Sequence, residues 1–111
     1  MKVKTFQTKI KNLMKEWDKL KGKKYTLETA FIHLVEEVGE LAKELVNKKR
    51  SPQKYSREKL IDAIGDILIY AVLLASLEKL DIEKLILNII KQDKKRMQKL
   101  KKQRKYFLCE K

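Results

Sequence analysis

Apolar residues recur along the chain at alternating steps of three and four, the spacing that places side chains on one face of an α-helix. The first stripe ends just before Gly22, and the second begins just after Thr26, whose hydroxyl suits a helix N-cap. The pattern therefore predicts two amphipathic helices separated by a short turn. The two stripes are Val3, Phe6, Ile10, Leu13, Trp17 and Leu20, and then Leu27, Phe31, Leu34, Val38, Leu41 and Leu45.

The third predicted helix differs from the first two, because nearly every position from Leu60 to Leu77 is apolar. Such a helix has to be buried on several sides, and Ser56 is placed to cap its start. We expect it to be too short, and too acidic at Asp62 and Asp66, to span a membrane. Three partner helices rarely cover a helix of this kind. A homodimer or homotetramer built on it is expected, the alternative being a central helix in a compact monomer.

A fourth helix is expected to begin after Asp81, with apolar residues on one face and mostly basic residues beyond position 90. Only three glycines and one proline occur, too few for the many turns of an all-β fold. The whole chain, 1–111, is expected to form one domain with a basic C-terminal extension from about 91–111. The sequence thus predicts an all-α, four-helix bundle, with helices at roughly 2–21, 27–47, 57–78 and 82–106.

The formal net charge of +13 is concentrated at the C-terminus. Residues 91–111 contain ten Lys or Arg against Asp93 and Glu110, a net charge of +8. Such a segment could bind nucleic acid, polyphosphate or an acidic partner, or could simply be a solvated helix end. The single Cys109 excludes an intramolecular disulfide. Because no signal-peptide pattern is present, we expect a cytoplasmic protein with no membrane partner.

Carboxylates on the second and third helices are the candidate ligands of a metal site. A polar stripe lies beside the apolar one on the second helix, and taken alone it is typical of a solvated face. Its members are His33, Glu36, Glu37, Glu40 and Glu44. Asp62 and Asp66, however, share one face of the apolar third helix, with no Lys or Arg between residues 60 and 78 to neutralise them. An antiparallel hairpin brings Glu37, Glu40 and Asp66 to the same level, with Asp62 a turn away. An oxygen-only cluster selects a hard cation such as Mg²⁺ or Mn²⁺.

Two segments resemble the motifs of the MazG-like nucleotide pyrophosphohydrolases, within the all-α NTP pyrophosphatase superfamily. Residues 34–42, LVEEVGELA, look like the first motif, and residues 64–70, IGDILIY, look like the second, which contains a metal-binding aspartate. Residues 80–83 and 94–96 resemble the start of the family's last helix and the basic residues that follow. The resemblance covers roughly residues 26–97.

The resemblance implies Mg²⁺-dependent hydrolysis of a nucleoside triphosphate to the monophosphate and pyrophosphate, a housecleaning reaction. It implies that Glu37, Glu40 and Asp66 bind metal, and that Glu36 either supports these ligands or helps to orient the attacking water. Asp62, from its place on the third helix, is a further candidate metal ligand. Trp17 could stack on a base, although its place in the apolar stripe favours a core position. His33, four residues before Glu37, could hydrogen-bond a metal ligand or touch substrate, but a histidine with no catalytic role is expected. Basic residues that could hold the triphosphate are Lys91, Lys94, Lys95 and Arg96.

The sequence departs from the family pattern at two positions. Ala63 stands where the second motif has a glutamate, and Asp93 stands where the family often has an asparagine. Asp62 points about 100° away from position 63 and would replace the missing ligand only in part. These departures leave open an alternative function, in which a catalytically impaired relative binds nucleotide or nucleic acid through its basic C-terminal helix.

Overall fold

Four α-helices make up the protein, as the sequence predicted. The computed structural model describes residues 1–109 and the side chains of residues 1–104, and no strand occurs in that part of the chain. The second helix continues three residues beyond its expected end, and a short 3-10 helix, Pro52–Lys54, follows it. The α-helices are α1 (Val3–Lys21), α2 (Leu27–Arg50), α3 (Arg57–Leu77) and α4 (Ile82–Cys109).

The helix ends follow the local signals in the sequence. Gly22 ends α1 in the left-handed conformation with φ of 66°, which costs glycine little. Thr26 and Thr29 form a reciprocal capping box at the start of α2. The Ser56 side chain accepts the backbone N–H of the third residue of α3, and Asp81 does the same for α4. These three predicted N-caps are therefore confirmed.

The α2–α3 hairpin is the structural centre, and α1 packs against α3. A small apolar core joins α1, α2, α3 and the start of α4. Ile82 and Leu85 are covered by the bundle, whereas every described side chain of α4 beyond Leu85 is exposed. Across the described residues no Cα atom of α4 lies within 8 Å of one in α2. The buried core residues are Ile10, Met14, Ala30, Val72, Leu73, Ala75 and Ile82.

Gln7 fixes the corner where α3 turns into α4. Its amide nitrogen donates to Ser76 Oγ (3.1 Å) and to the Leu80 carbonyl (2.8 Å), while its Oε1 accepts the Ile82 N–H (3.1 Å). The Gln7 side chain is buried, so it satisfies the buried Ile82 N–H and the partly buried Leu80 carbonyl from inside the bundle. A glutamine on α1 thus sets where α4 begins.

Much apolar surface stays uncovered in the single chain. The expectation that α3 is buried on several sides does not hold within one chain, because Ile61 and Leu68 are more than half exposed and Ile64 nearly so. The radius of gyration is 19.3 Å, whereas a compact chain of this length has about 13 Å. The single chain is therefore elongated, with an apolar helix on its surface.

Helix α3 also bears on the membrane question. It is 21 residues long and contains an 18-residue window of mean hydropathy 2.1, so the expectation that it is too short for a membrane span does not hold. By length and composition alone it could cross a membrane. This is weak evidence, because the core helix of a soluble bundle has the same properties.

Candidate functional site

The α2–α3 hairpin brings three of the predicted carboxylates into one region. Glu37 on α2 and Asp66 on α3 are half-buried, and Glu40 is exposed one turn further along α2. Burial raises the pKa of Glu37, and the negative charges of Asp66, Glu40 and Glu36 raise it further. The Glu37 carboxylate is therefore within electrostatic reach of both other predicted ligands.

This carboxylate cluster has no cationic side chain as a close partner. Among the described side chains, the ion pairs within 4 Å are His33 with Glu36 and Arg96 with Asp93. An uncompensated set of oxygen donors has the chemistry that a hard divalent cation requires. However, within the described residues no three Asp, Glu, His or Cys side chains are close enough together to hold an ion. A metal would thus have to draw Glu37, Glu40 and Asp66 together.

The two neighbouring positions on α3 do not complete the cluster. The Ala63 side chain is buried, with 2% of the residue exposed, so the position of the missing glutamate lies inside the helix packing. Asp62 is exposed, and it is not among the groups that perturb the pKa of Glu37. In this structure Asp62 therefore does not replace the absent ligand.

An aromatic cluster borders the carboxylates. The rings of His33 and Tyr70 are stacked, with centroids 5.4 Å apart and an angle of 14° between their planes. Tyr25 packs edge-on against His33 at 5.7 Å and lies 6.3 Å from Tyr70. Burial, hydrogen bonding with Tyr25 and the nearby Asp66 and Glu37 charges all raise the pKa of Tyr70. The Tyr70 phenol is thus strongly held in its neutral form beside the carboxylates.

A cavity of about 250 Å³ opens beside Asp66. Trp17 forms part of its wall and is 43% exposed, so the expectation of a core position for this residue does not hold. The Lys21 ammonium lies over the rings of Trp17 (5.3 Å) and Tyr25 (5.5 Å). The lining thus combines flat apolar surfaces with one cation and one carboxylate. The lining residues are Leu13, Met14, Trp17, Lys21, Tyr25, Asp66, Ile69 and Tyr70.

Two members of the polar stripe on α2 have specific partners. The Glu36 carboxylate lies 3.4 Å from His33 Nδ1, and the His33 charge lowers the pKa of Glu37. Glu44, expected on a solvated face, is instead buried at 2% exposure and accepts the Ser56 N–H at 2.8 Å. Its carboxylate thus lies at the N-terminal end of α3, where unpaired N–H groups and the helix dipole favour a negative charge.

The basic residues proposed to hold the triphosphate lie elsewhere. Lys91, Lys94, Lys95 and Arg96 are all exposed on the part of α4 that extends beyond the bundle. Because α4 does not approach α2, the single chain does not bring them to the carboxylates. Residues 105–111 of the predicted basic extension lie outside the described side chains.

The sequence analysis missed three residues at this site. Tyr70 lies four residues after Asp66, on the same face of α3, and this spacing was available from the sequence. Lys21 is the last residue of α1, and Tyr25 lies in the turn that follows, where no periodic pattern indicates which way a side chain points. Lys21 and Tyr25 reach the site because α1 packs against α3, a tertiary contact that the sequence pattern does not indicate.

Comparison with known proteins adds one match. A family model described as the MazG nucleotide pyrophosphohydrolase domain matches residues 25–101, well over half of the chain. The matched segment contains the whole α2–α3 hairpin and most of α4. A comparison with curated proteins gives no match.

Proposed function

Because the chain belongs to the MazG nucleotide pyrophosphohydrolase domain family, we propose that it hydrolyses a nucleoside triphosphate to the monophosphate and pyrophosphate. The observation that supports this most is the uncompensated cluster of Glu37, Glu40 and Asp66 beside the aromatic cavity. Water adds to the α-phosphorus, the bond to the bridging oxygen breaks, and pyrophosphate leaves with that oxygen. We place the reaction in the cytoplasm, in a homodimer or homotetramer.

In this proposal the three carboxylates hold Mg²⁺ or Mn²⁺. A bound divalent ion would neutralise phosphate charge and make water a stronger nucleophile. Its arrival would also relieve the repulsion that raises the pKa of Glu37. Glu36 would orient the attacking water, with its own carboxylate held by His33.

The cavity beside Asp66 is proposed to take the nucleobase. A base is flat and apolar on its faces, and the exposed Trp17 ring offers a surface on which it can stack. Lys21 lies between this ring and Tyr25, within the same cavity. Its ammonium is therefore available to a phosphate chain that passes towards Asp66.

The direct test is pyrophosphate release from a panel of ribo- and deoxyribonucleoside triphosphates, with Mg²⁺ or Mn²⁺. We expect Asp66→Asn to lower the rate at least 100-fold with every active substrate. Glu58→Gln, an exposed change at the start of the same helix, serves as the control and should leave the rate within twofold. Absence of release across the panel with both metals would refute the proposal.

A second candidate function rests on the exposed basic residues of α4. A catalytically impaired family member could bind nucleotide or nucleic acid there, and the buried Ala63 in place of a metal ligand favours this reading. It requires binding to DNA or RNA that weakens steeply with salt. Binding should be lost when the basic residues are neutralised and should be unaffected by Glu37→Gln. Retention of binding after neutralisation would exclude it.

A further inference from the structure

A cavity of about 290 Å³ lies where α1 meets the turn between α3 and α4. It is distinct from the proposed catalytic site, because none of the three carboxylates proposed to bind metal lines it. Three lysines from two distant parts of the chain lie on its wall. We call it the corner cavity, and the residues that matter here are Lys4 and Lys11 of α1, Ser76 of α3, and Lys79 and Asp81 of the turn.

The lysines of the corner cavity have no anionic side chain as a close partner. The ion pairs within 4 Å among the described side chains involve none of the three. The one carboxylate on the wall, Asp81, accepts the Lys84 backbone N–H at 3.1 Å as the cap of α4. Three ammonium groups around one cavity repel one another, and an anion between them would remove that repulsion. The charge balance of the wall therefore favours an anionic ligand.

A hydroxyl group on the same wall can donate a hydrogen bond. Ser76 Oγ accepts the Gln7 side-chain N–H at 3.1 Å, and within the described residues its own O–H donates to no protein acceptor. Gln7 is buried and is held by two further hydrogen bonds to the backbone, so the position of this Oγ is well defined. An anion in the corner cavity could thus accept a hydrogen bond from a hydroxyl as well as from ammonium groups.

Lys79 stands at a position that helices usually give to glycine. The backbone N–H groups of Lys79 and Leu80 donate to the carbonyls of Ser76 (3.0 Å) and Ala75 (2.8 Å), which is the pattern of a Schellman helix end. Lys79 has the left-handed φ of 59° that this pattern requires, and Gly22 has a similar φ of 66° at the end of α1. A side chain in this conformation costs stability that glycine does not. The lysine at this position therefore points to a role for its ammonium group.

We propose that the corner cavity binds a phosphate chain, of which inorganic pyrophosphate is the simplest form. Lys4 and Lys11 would bind its oxygens from α1, Lys79 would bind them from the turn, and the Ser76 hydroxyl would donate a further hydrogen bond. The bound anion would join α1 to the turn that precedes α4. It would therefore stabilise the same corner of the bundle that Gln7 fixes by hydrogen bonds.

A neighbouring cavity bears on the source of the phosphate chain. It has a volume of about 270 Å³ and shares Lys11 and Ser76 with the corner cavity. Three apolar residues, Met14, Leu73 and Leu77, also line it. The base of a nucleotide would cover this apolar wall while its phosphates occupied the corner cavity, whereas free polyphosphate would leave the wall in water. The phosphate contacts are the same in both cases.

Isothermal titration calorimetry with inorganic pyrophosphate, in EDTA and 150 mM NaCl, tests the proposal on the full chain. EDTA removes divalent metal, so the result does not depend on the proposed hydrolysis. We expect K4A/K11A to weaken binding at least tenfold, because two charge-assisted hydrogen bonds are lost. The matched control is K2A/K9A, which removes the same charge at the same spacing on the opposite side of α1. It should bind within twofold of the wild type.

K79G gives a second test, in which stability and binding should change in opposite directions. Glycine relieves the left-handed backbone, so the thermal midpoint without pyrophosphate should rise by about 4 °C. Loss of the ammonium group should nevertheless weaken pyrophosphate binding about fivefold. A purely structural role of Lys79 would not separate these two effects.

Titration with ADP distinguishes the two sources of the phosphate chain. An affinity for ADP no more than threefold above that for pyrophosphate would identify free polyphosphate as the ligand, and a higher affinity that is lost in K4A/K11A would identify a nucleotide. Three results would overturn the proposal: no pyrophosphate binding by the wild type at 1 mM, equal weakening by K4A/K11A and K2A/K9A, or unchanged binding by K79G. Circular dichroism verifies that each variant is folded.

Discussion

At the scale of single residues, Glu37 stands out because its ionised form is unfavourable in the metal-free protein. Burial and the charges of Asp66, Glu40 and Glu36 together raise its pKa above the ordinary value of 4.5. A carboxyl whose pKa is higher in the folded than in the unfolded chain binds more protons when folded. Ionising Glu37 therefore costs stability as the pH rises from about 4.5 through its folded pKa.

Replacing this group should stabilise the metal-free protein. We expect Glu37→Gln to raise the thermal midpoint at pH 7, because it removes a repelled, half-buried charge. The gain should vanish below pH 4, where Glu37 is protonated in both states. Thermal unfolding with and without EDTA, over pH 3.5 to 8, measures this. A variant less stable than the wild type at pH 7 in EDTA would contradict the electrostatic argument.

Glu44 shows where a sequence pattern misleads. Its spacing from Glu37 and Glu40 assigns it to the same polar stripe, yet the structure buries it against the start of α3. The reason is not local: the acceptor is required by the Ser56 N–H, twelve residues away across the interhelical turn. A helical pattern describes one helix, and it carries no information about unpaired backbone N–H groups at the start of another.

Loss of the Glu44 carboxylate should destabilise the hairpin. We expect Glu44→Ala to lower the free energy of unfolding by about 2–3 kcal/mol, because the partly buried Ser56 N–H loses a charged acceptor. Chemical denaturation at pH 7 measures the change. Glu16→Ala, at an exposed position on α1, is the control and should shift stability by less than about 0.5 kcal/mol.

At the scale of helices, the ends were predictable and the packing only partly so. Thr26, Ser56 and Asp81 cap helices through hydrogen bonds that span only a few residues, so a sequence pattern finds them. The hairpin was predictable too, because a short connection makes α2 and α3 neighbours. The direction of α4 was not, because it depends on Gln7, which lies 75 residues before Ile82.

Gln7 should therefore matter more than its place near the N-terminus suggests. We expect Gln7→Ala to cost about 2–4 kcal/mol, because the Leu80 carbonyl and the Ile82 N–H lose their buried partner. Urea unfolding followed by circular dichroism measures this. Thr8→Ala, at the exposed neighbouring position, should change stability by less than about 0.5 kcal/mol. Equal effects of the two changes would remove the special role of Gln7.

At the scale of the whole molecule, the main feature is the large apolar surface that the single chain leaves exposed. The sequence showed that one helix was too apolar for a small monomer, and the structure extends this to α2 and α4, where Phe31 and Leu100 are more than half exposed. The sequence did not reveal which apolar surfaces stay open, because this depends on where α4 points after the bundle. Composition alone gives the number of apolar residues, and only the fold shows which of them are exposed.

Stability should accordingly depend on protein concentration. If association covers the excess surface, the folded assembly is favoured by mass action and unfolding is not. For a dimer, each tenfold increase in concentration should raise the thermal midpoint by about 3–5 °C. Differential scanning calorimetry from 5 to 500 µM measures this. A midpoint independent of concentration would mean that the single chain is stable despite its exposed surface.

The position of Lys21 has a consequence for what can enter the cavity beside Asp66. Its ammonium lies over one face of the Trp17 ring and one face of the Tyr25 ring, so a flat ligand that stacks on either of these faces must first displace it. When a neutral nucleoside binds, the displaced ammonium loses its contacts with the rings and gains only hydration. A nucleotide arrives with its own anion and can keep the lysine as a partner. Lys21 should therefore make the cavity select nucleotides over nucleosides with the same base.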